Sequence, residues 1–155
     1  MDKHFADLVS KLDPAFRRLL AMVPYKPLEL PHDVPQAGIY LLSEKRRHLY
    51  VGRSNRIPRR LGNHCRESAT HNMAALAFRL AREATGHTRA TYRPQGSRTE
   101  LMRDPAFAVA FDAAKARIRT MQVRFVEEVD PTRQCVLEVY VAVALQTPYN
   151  DFDTH

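Results

Sequence analysis

No run of about 18 apolar residues occurs in this 155-residue chain, so no membrane-spanning helix is expected. The start, MDKHFADLVSKLD, is charged throughout and lacks the apolar core of a secretion signal, which makes the cytoplasm the expected compartment. Cysteine is scarce. Cys65 and Cys135 form no CxxC pair and no ligand cluster, which argues against a disulfide framework or a structural zinc site and predicts two buried free thiols. Internal repeats and low-complexity segments are absent. Acidic residues are missing from two long stretches. One holds Lys45, Arg46, Arg47, Arg53, Arg56, Arg59, Arg60 and Arg66; the other, Thr85 to Thr99, holds Arg89, Arg93 and Arg98.

What is present is ordinary in bulk and uneven in placement. Hydrophobic residues make up 45% and charged residues 26%, enough for one globular core. The net charge of +7 and sequence pI of about 9.8 favour a polyanionic partner through accumulated phosphate contacts.

Along the chain, residues 2–23 read as one helix or two short ones, with Asp13 and Pro14 as N-cap and first turn and Phe16, Leu19, Leu20 and Val23 at helical spacing. Pro24, Pro27, Pro31 and Pro35 then prohibit a helix and predict an extended arm. The segment GIYLLSEKRRHLYVG, residues 38–52, reads as a hairpin. With Lys45, Arg46 and Arg47 as a three-residue loop, Tyr50 stands across from Leu42 and diagonal to Tyr40 on one face, while Ile39, Leu41, Leu49 and Val51 share the other. An odd loop is favoured because a two- or four-residue loop would mix the two sets.

A helix near Pro58 carries Arg60 and His64 on one face. A second, from about Asn72 to Ala84, turns Met73, Leu76, Ala77 and Leu80 inward, and a third runs from about Glu100 to Arg117. MQVRFVEEV, residues 121–129, is the third strand. Asp130 and Pro131 open a last helix, nearly all apolar and expected to be buried on most sides, which Thr147 and Pro148 end. Glu138 is the only acid between Asp130 and Asp151, and a lone carboxylate there carries a desolvation cost unless a cation or donor meets it.

GIY at 38–40 and YVG at 50–52 resemble the paired signature of the GIY-YIG nucleases. Arg60, ten residues after the second tyrosine, matches the family's catalytic arginine, and His64 a position where many members carry histidine. Glu138 resembles the metal-binding glutamate, TPYN places Asn150 at the family's asparagine, and Arg53 stands where several members have lysine. The resemblance covers residues 38–66 and about 120–150. It implies an α+β fold with a small three-stranded antiparallel sheet, hairpin 38–53 plus strand 120–129, flanked by helices. The expected organisation is an N-terminal helical segment and proline-rich arm at 1–37, then a nuclease domain at 38–155 with an insertion at about 67–118.

The resemblance also implies roles. Tyr40 acts as general base on water. A phenol at its reference pKa of about 10 is a poor base at neutral pH, so cations such as Arg53 and Arg60 would have to favour its ionised form. Tyr50 orients the water or a phosphate oxygen, and Arg60 neutralises charge on the phosphoryl group. His64 relays a proton or holds the phosphate. Glu138 binds one divalent cation, Mg²⁺ or Mn²⁺, completed by water and phosphate. Arg53 and Asn150 support the site. Apart from the resemblance, Arg56 and Arg59 read as solvated helix arginines or simple backbone contacts, and the loop RATYRPQGSR, with Arg89, Tyr92, Arg93 and Arg98, reads either as the best candidate for nucleic-acid contact or as a mobile basic loop.

The function so implied is a metal-dependent DNA endonuclease, stand-alone and either restriction-like or defence-associated, with RNA not excluded as substrate. A homodimer would let it cut both strands. The alternatives are a repair nuclease that recognises DNA structure and, in another class, a nucleic-acid-binding protein that keeps the fold without turnover.

Overall fold

The structure is a computed structural model and describes residues 1–87 and 97–152. The chain divides into two compact units, residues 1–59 with 121–155, and residues 60–120.

The first unit is built on a sheet. Strands β1 (Gly38–Glu44), β2 (Arg47–Ser54) and β3 (Gln122–Glu127) form an antiparallel sheet in the order β2-β1-β3, so β2 lies at an edge. Helices α1 (Lys3–Ser10) and α2 (Leu12–Ala21) precede it, and α7 (Pro131–Leu145) follows it. One sheet face is a dry core: Ile39, Leu41, Val51 and Val126 pack against Leu12, Ala15 and Leu19 of α2 and Leu137, Val141 and Ala142 of α7. Removing those side chains from water, at about 25 cal/mol per Å² of apolar surface, is what fixes the two helices on this face. This α+β arrangement is the one expected from the sequence.

Details differ where local chemistry overrides pattern. The two N-terminal helices meet at Lys11, whose near-helical backbone caps α1 and starts α2. Asp13 is therefore inside the first turn, paired with Arg17 at 2.7 Å, and not the N-cap. Val23 lies beyond the helix and is exposed. From the proline-rich arm, Tyr25 bridges Val123 on the outer edge of β3 and stacks its ring on Phe125. Helix α7 begins at Asp130 and Pro131 as expected, with the Asp130 carboxylate accepting from Arg133 N. It buries one face only. Cys135, Val139 and Val143 are exposed, because the sheet covers the Leu137–Val141 side alone; of the two thiols, Cys65 is buried and Cys135 is not.

The hairpin solves its register in an unexpected way. Leu42 pairs with Tyr50 as the three-residue loop required, yet the turn is a two-residue one in which Glu44 pairs with Arg47. A bulge at Leu49 absorbs the difference, and Leu49, though buried, stands outside the core cluster of the other face. Both central residues, Lys45 and Arg46, have positive φ (49° and 65°), the conformation a type I′ turn demands and usually fills with Asn-Gly. For residues with a Cβ this costs about 1–2 kcal/mol each.

The second unit is helical. Helix α3 (Ile57–Cys65) leads into it, followed by α4 (Ala75–Ala84), α5 (Arg98–Arg103) and α6 (Pro105–Arg119). The single helix expected at 100–117 is two. Asp104 accepts from Ala106 N as an N-cap and Pro105 starts a new helix, the same device that opens α7. Met73 precedes α4 and is partly exposed, whereas Leu76, Ala77 and Leu80 are buried as expected. Phe78, Phe107 and Phe111 form the aromatic centre. Lys115, buried in α6, donates to the carbonyls of Glu67 (2.7 Å) and Ala69 (3.0 Å) and pairs with Asp112, so its charge staples the chain between α3 and α4.

Candidate active site

The two tyrosines share the sheet face opposite the α2–α7 core, with ring centroids 6.3 Å apart. They are not equally displayed. Tyr40 is fully buried, whereas Tyr50 is partly open. Tyr40 pairs across the strands with Gly52, and its ring lies over that residue: a Cβ at position 52 would stand 2.3 Å from the phenol's Cζ and hydroxyl oxygen. Gly38 is required for another reason. Its φ is 155°, and a Cβ there would lie 2.0 Å from the carbonyl oxygen of Val126 on β3. The first glycine thus admits the third strand and the second admits the first tyrosine.

Arg53 and Glu138 come together from positions 85 residues apart, with Arg53 Nε donating to Glu138 Oε2 at 3.1 Å. Arg53 pairs with Ile39, on the core face, so this ion pair and the two phenols flank edge strand β2 from its two sides. The Glu138 side chain is 19% exposed. Burial raises its carboxyl above the ordinary carboxylate range, and the guanidinium of Arg53 offsets this only in part. Among the described residues, no three His, Cys, Asp or Glu side chains gather where they could hold a metal ion. A hard divalent cation that keeps most of its waters fits such a place, with one carboxylate oxygen as its protein ligand; a zinc site does not.

Asn150 clamps the outer edge of β2. Its Oδ1 accepts from Val51 N and its Nδ2 donates to Val51 O, both at 2.8 Å, as a neighbouring strand would. Thr147 Oγ1 fixes the amide by donating to Oδ1 at 2.7 Å, and Tyr149 N donates to Leu49 O. The clamp sits on the residue between Tyr50 and Gly52. Nothing in the sequence pattern said which backbone groups that asparagine would meet.

The second unit holds Arg60 and His64. Arg60 Nη1 donates to Met73 O at 3.1 Å. His64 is fully buried, and desolvation, helped by Arg60 one turn away, lowers its pKa to about 3. A neutral, enclosed imidazole can offer a hydrogen bond; it cannot hold a phosphate by charge. Arg56 and Arg59 are exposed. Arg98 is engaged within its own unit, its guanidinium 5.0 Å above the Phe78 ring and donating to His71 O. Arg89, Tyr92 and Arg93 lie outside the described residues.

One residue that sequence reasoning missed is Gln134. Its amide donates to Asn55 Oδ1 at 2.9 Å and to Glu128 O at 2.6 Å, tying the turn after β2 to the start of α7. A polar residue one turn before Glu138 on a buried helix face was the available signal.

Residues 36–91 match the family model of the GIY-YIG catalytic domain. That segment contains both tyrosines, Arg53, Arg60 and His64; Glu138 and Asn150 lie beyond it. No curated protein and no solved structure matches the chain. The segment that holds the paired tyrosines, Arg53, Arg60 and His64 is thus similar to a GIY-YIG catalytic domain.

Proposed function

Taking residues 36–91 as a GIY-YIG catalytic domain, we propose that this protein is an endonuclease that hydrolyses phosphodiester bonds in DNA with the help of Mg²⁺ or Mn²⁺. The observation that carries the reading beyond the family is the Arg53–Glu138 pair. An acid from a largely apolar helix is brought against the residue that follows the YVG motif, beside the strand edge that carries the second tyrosine.

Hydrolysis needs an oriented water, neutralised phosphoryl oxygens and help for the leaving oxygen. Tyr40 takes the proton from the attacking water, its phenol position fixed by Gly52 beneath the ring. Tyr50, the more open of the two, orients the water or a non-bridging oxygen. Arg53 and Arg60 neutralise charge; a guanidinium stays charged at any working pH and can grip two oxygens. Glu138 would hold the divalent cation, which polarises the phosphate and stabilises the leaving oxygen when bound. Its ion pair with Arg53 keeps the carboxylate oriented toward the β2 edge. His64 contributes a hydrogen bond from a neutral ring, and Asn150 holds β2 in place.

A plasmid-nicking assay with Mg²⁺ or Mn²⁺ tests this reading. Metal-dependent cleavage is expected, and Glu138→Ala should lose it while still binding DNA. Full cleavage by that variant, or cleavage that survives excess EDTA, overturns the metal assignment. Mapped ends on random DNA then separate the finer roles. A fixed sequence at the ends marks a restriction-type enzyme, and dependence on flaps or junctions marks a repair enzyme.

A further inference from the structure

The tip of the β1–β2 hairpin carries Lys45, Arg46 and Arg47 in succession, all exposed. Two features set it apart from an ordinary solvated turn. Its central residues hold the left-handed conformation without glycine or asparagine, and a bulge at Leu49 keeps the tyrosine register while the turn stays at two residues. A left-handed backbone at two side-chain-bearing residues persists where the surrounding structure over-determines it, and such strain clusters at active sites and ligand clamps. Asn-Gly would fill the same turn without strain and without charge.

The strands that end in this tip are the strands that carry the tyrosines. Tyr50 stands opposite Leu42 and Arg47 opposite Glu44, so the bulge takes up one residue and Arg46 lies about three strand rises from Tyr50, or about 10 Å at about 3.3 Å per residue. One DNA strand places a phosphate every 3.4 Å or so along the helix axis, so that span corresponds to about three nucleotides. We propose that the Lys45–Arg46 tip is a second substrate contact, gripping the sugar-phosphate backbone of the nucleic acid about three nucleotides from the bond to be cut. The tip supplies two cations of the nonspecific, salt-sensitive kind, and it fixes the direction in which the substrate crosses β2. The inference rests on the nuclease reading above.

The test replaces the tip by the turn the backbone prefers. Lys45→Asn with Arg46→Gly should melt at a higher temperature than the parent, because the left-handed strain is gone. Its affinity for a 30-base-pair duplex should nonetheless fall, and the slope of log K against log salt should shrink by about 1.8, the value for two phosphate contacts. Lys11→Gln with Arg17→Gln removes the same charge from an exposed helical surface and should leave the slope unchanged. A tip variant that binds and cleaves like the parent, with an unaltered slope, overturns this proposal and leaves the nuclease reading standing. An equal loss of slope in the helical control overturns it too, since bulk charge would then suffice. A parent that binds no nucleic acid at low salt overturns both readings.

Discussion

At Gly52 and Glu138, single atoms decide whether the site can exist. A methyl group at position 52 would overlap the Tyr40 phenol, so Gly52→Ala must tilt the ring or push β2 away from β1. Overpacking of this kind costs about 1–3 kcal/mol, and here the displaced group is the proposed base. We expect a lower melting temperature and at least the roughly 10²-fold loss of cleavage rate typical of a missing general base, with DNA affinity little changed. Glu138 makes the opposite trade. Its carboxyl is raised because burial outweighs Arg53, so folding disfavours its charged form relative to the unfolded chain. Stability is then lost as pH rises from the ordinary carboxylate value through the raised one. Glu138→Gln should therefore be inactive yet more stable than the parent at neutral pH in EDTA, with the gain vanishing under acid conditions. Thermal melts at pH 7 and pH 4 check the sign; a variant less stable at pH 7 would mean that the ion pair outweighs the burial.

The elements were legible in the sequence where a local device announces them. Asp130–Pro131 opens α7 as an N-cap and first turn must, and the same dipeptide at Asp104–Pro105, passed over inside a helical pattern, splits α5 from α6. Alternation placed the tyrosines on one face, yet the two-residue turn escaped it because a bulge at Leu49 restores the register after the turn has shifted it. The Asn150 clamp was not legible at all, since it joins a side chain to backbone groups 99 residues away. Its energetic weight can be stated. Asn150→Ala removes an acceptor for Val51 N and a donor for Val51 O on a part-buried edge, which should cost about 1–3 kcal/mol. The Val51 amide should exchange its hydrogen faster than in the parent. Cleavage should fall with it, because Tyr50 and Gly52 flank the released residue. An unchanged exchange rate at Val51 would show that the edge is held by Tyr149 alone.

For the whole molecule, the charge that suggests a polyanion is also a source of pH sensitivity, through His64, which the fold buries completely. His64 has its pKa lowered to about 3, first by burial and then by Arg60, whereas an unfolded chain would titrate it near 6.5. Between those values the unfolded state binds the extra proton, so stability is fully present above about pH 6.5 and is lost as pH falls toward 3. The slope from this one group approaches about 1.4 kcal/mol per pH unit. Denaturant midpoints should fall accordingly from pH 6.5 to 4, and His64→Gln should flatten that part of the curve. The imidazole resonances of His64 should show no protonation above pH 4 in the folded protein. A histidine that titrates near 6.5 there would mean that the ring reaches water, and its proposed role as a neutral hydrogen-bonding group would have to be given up.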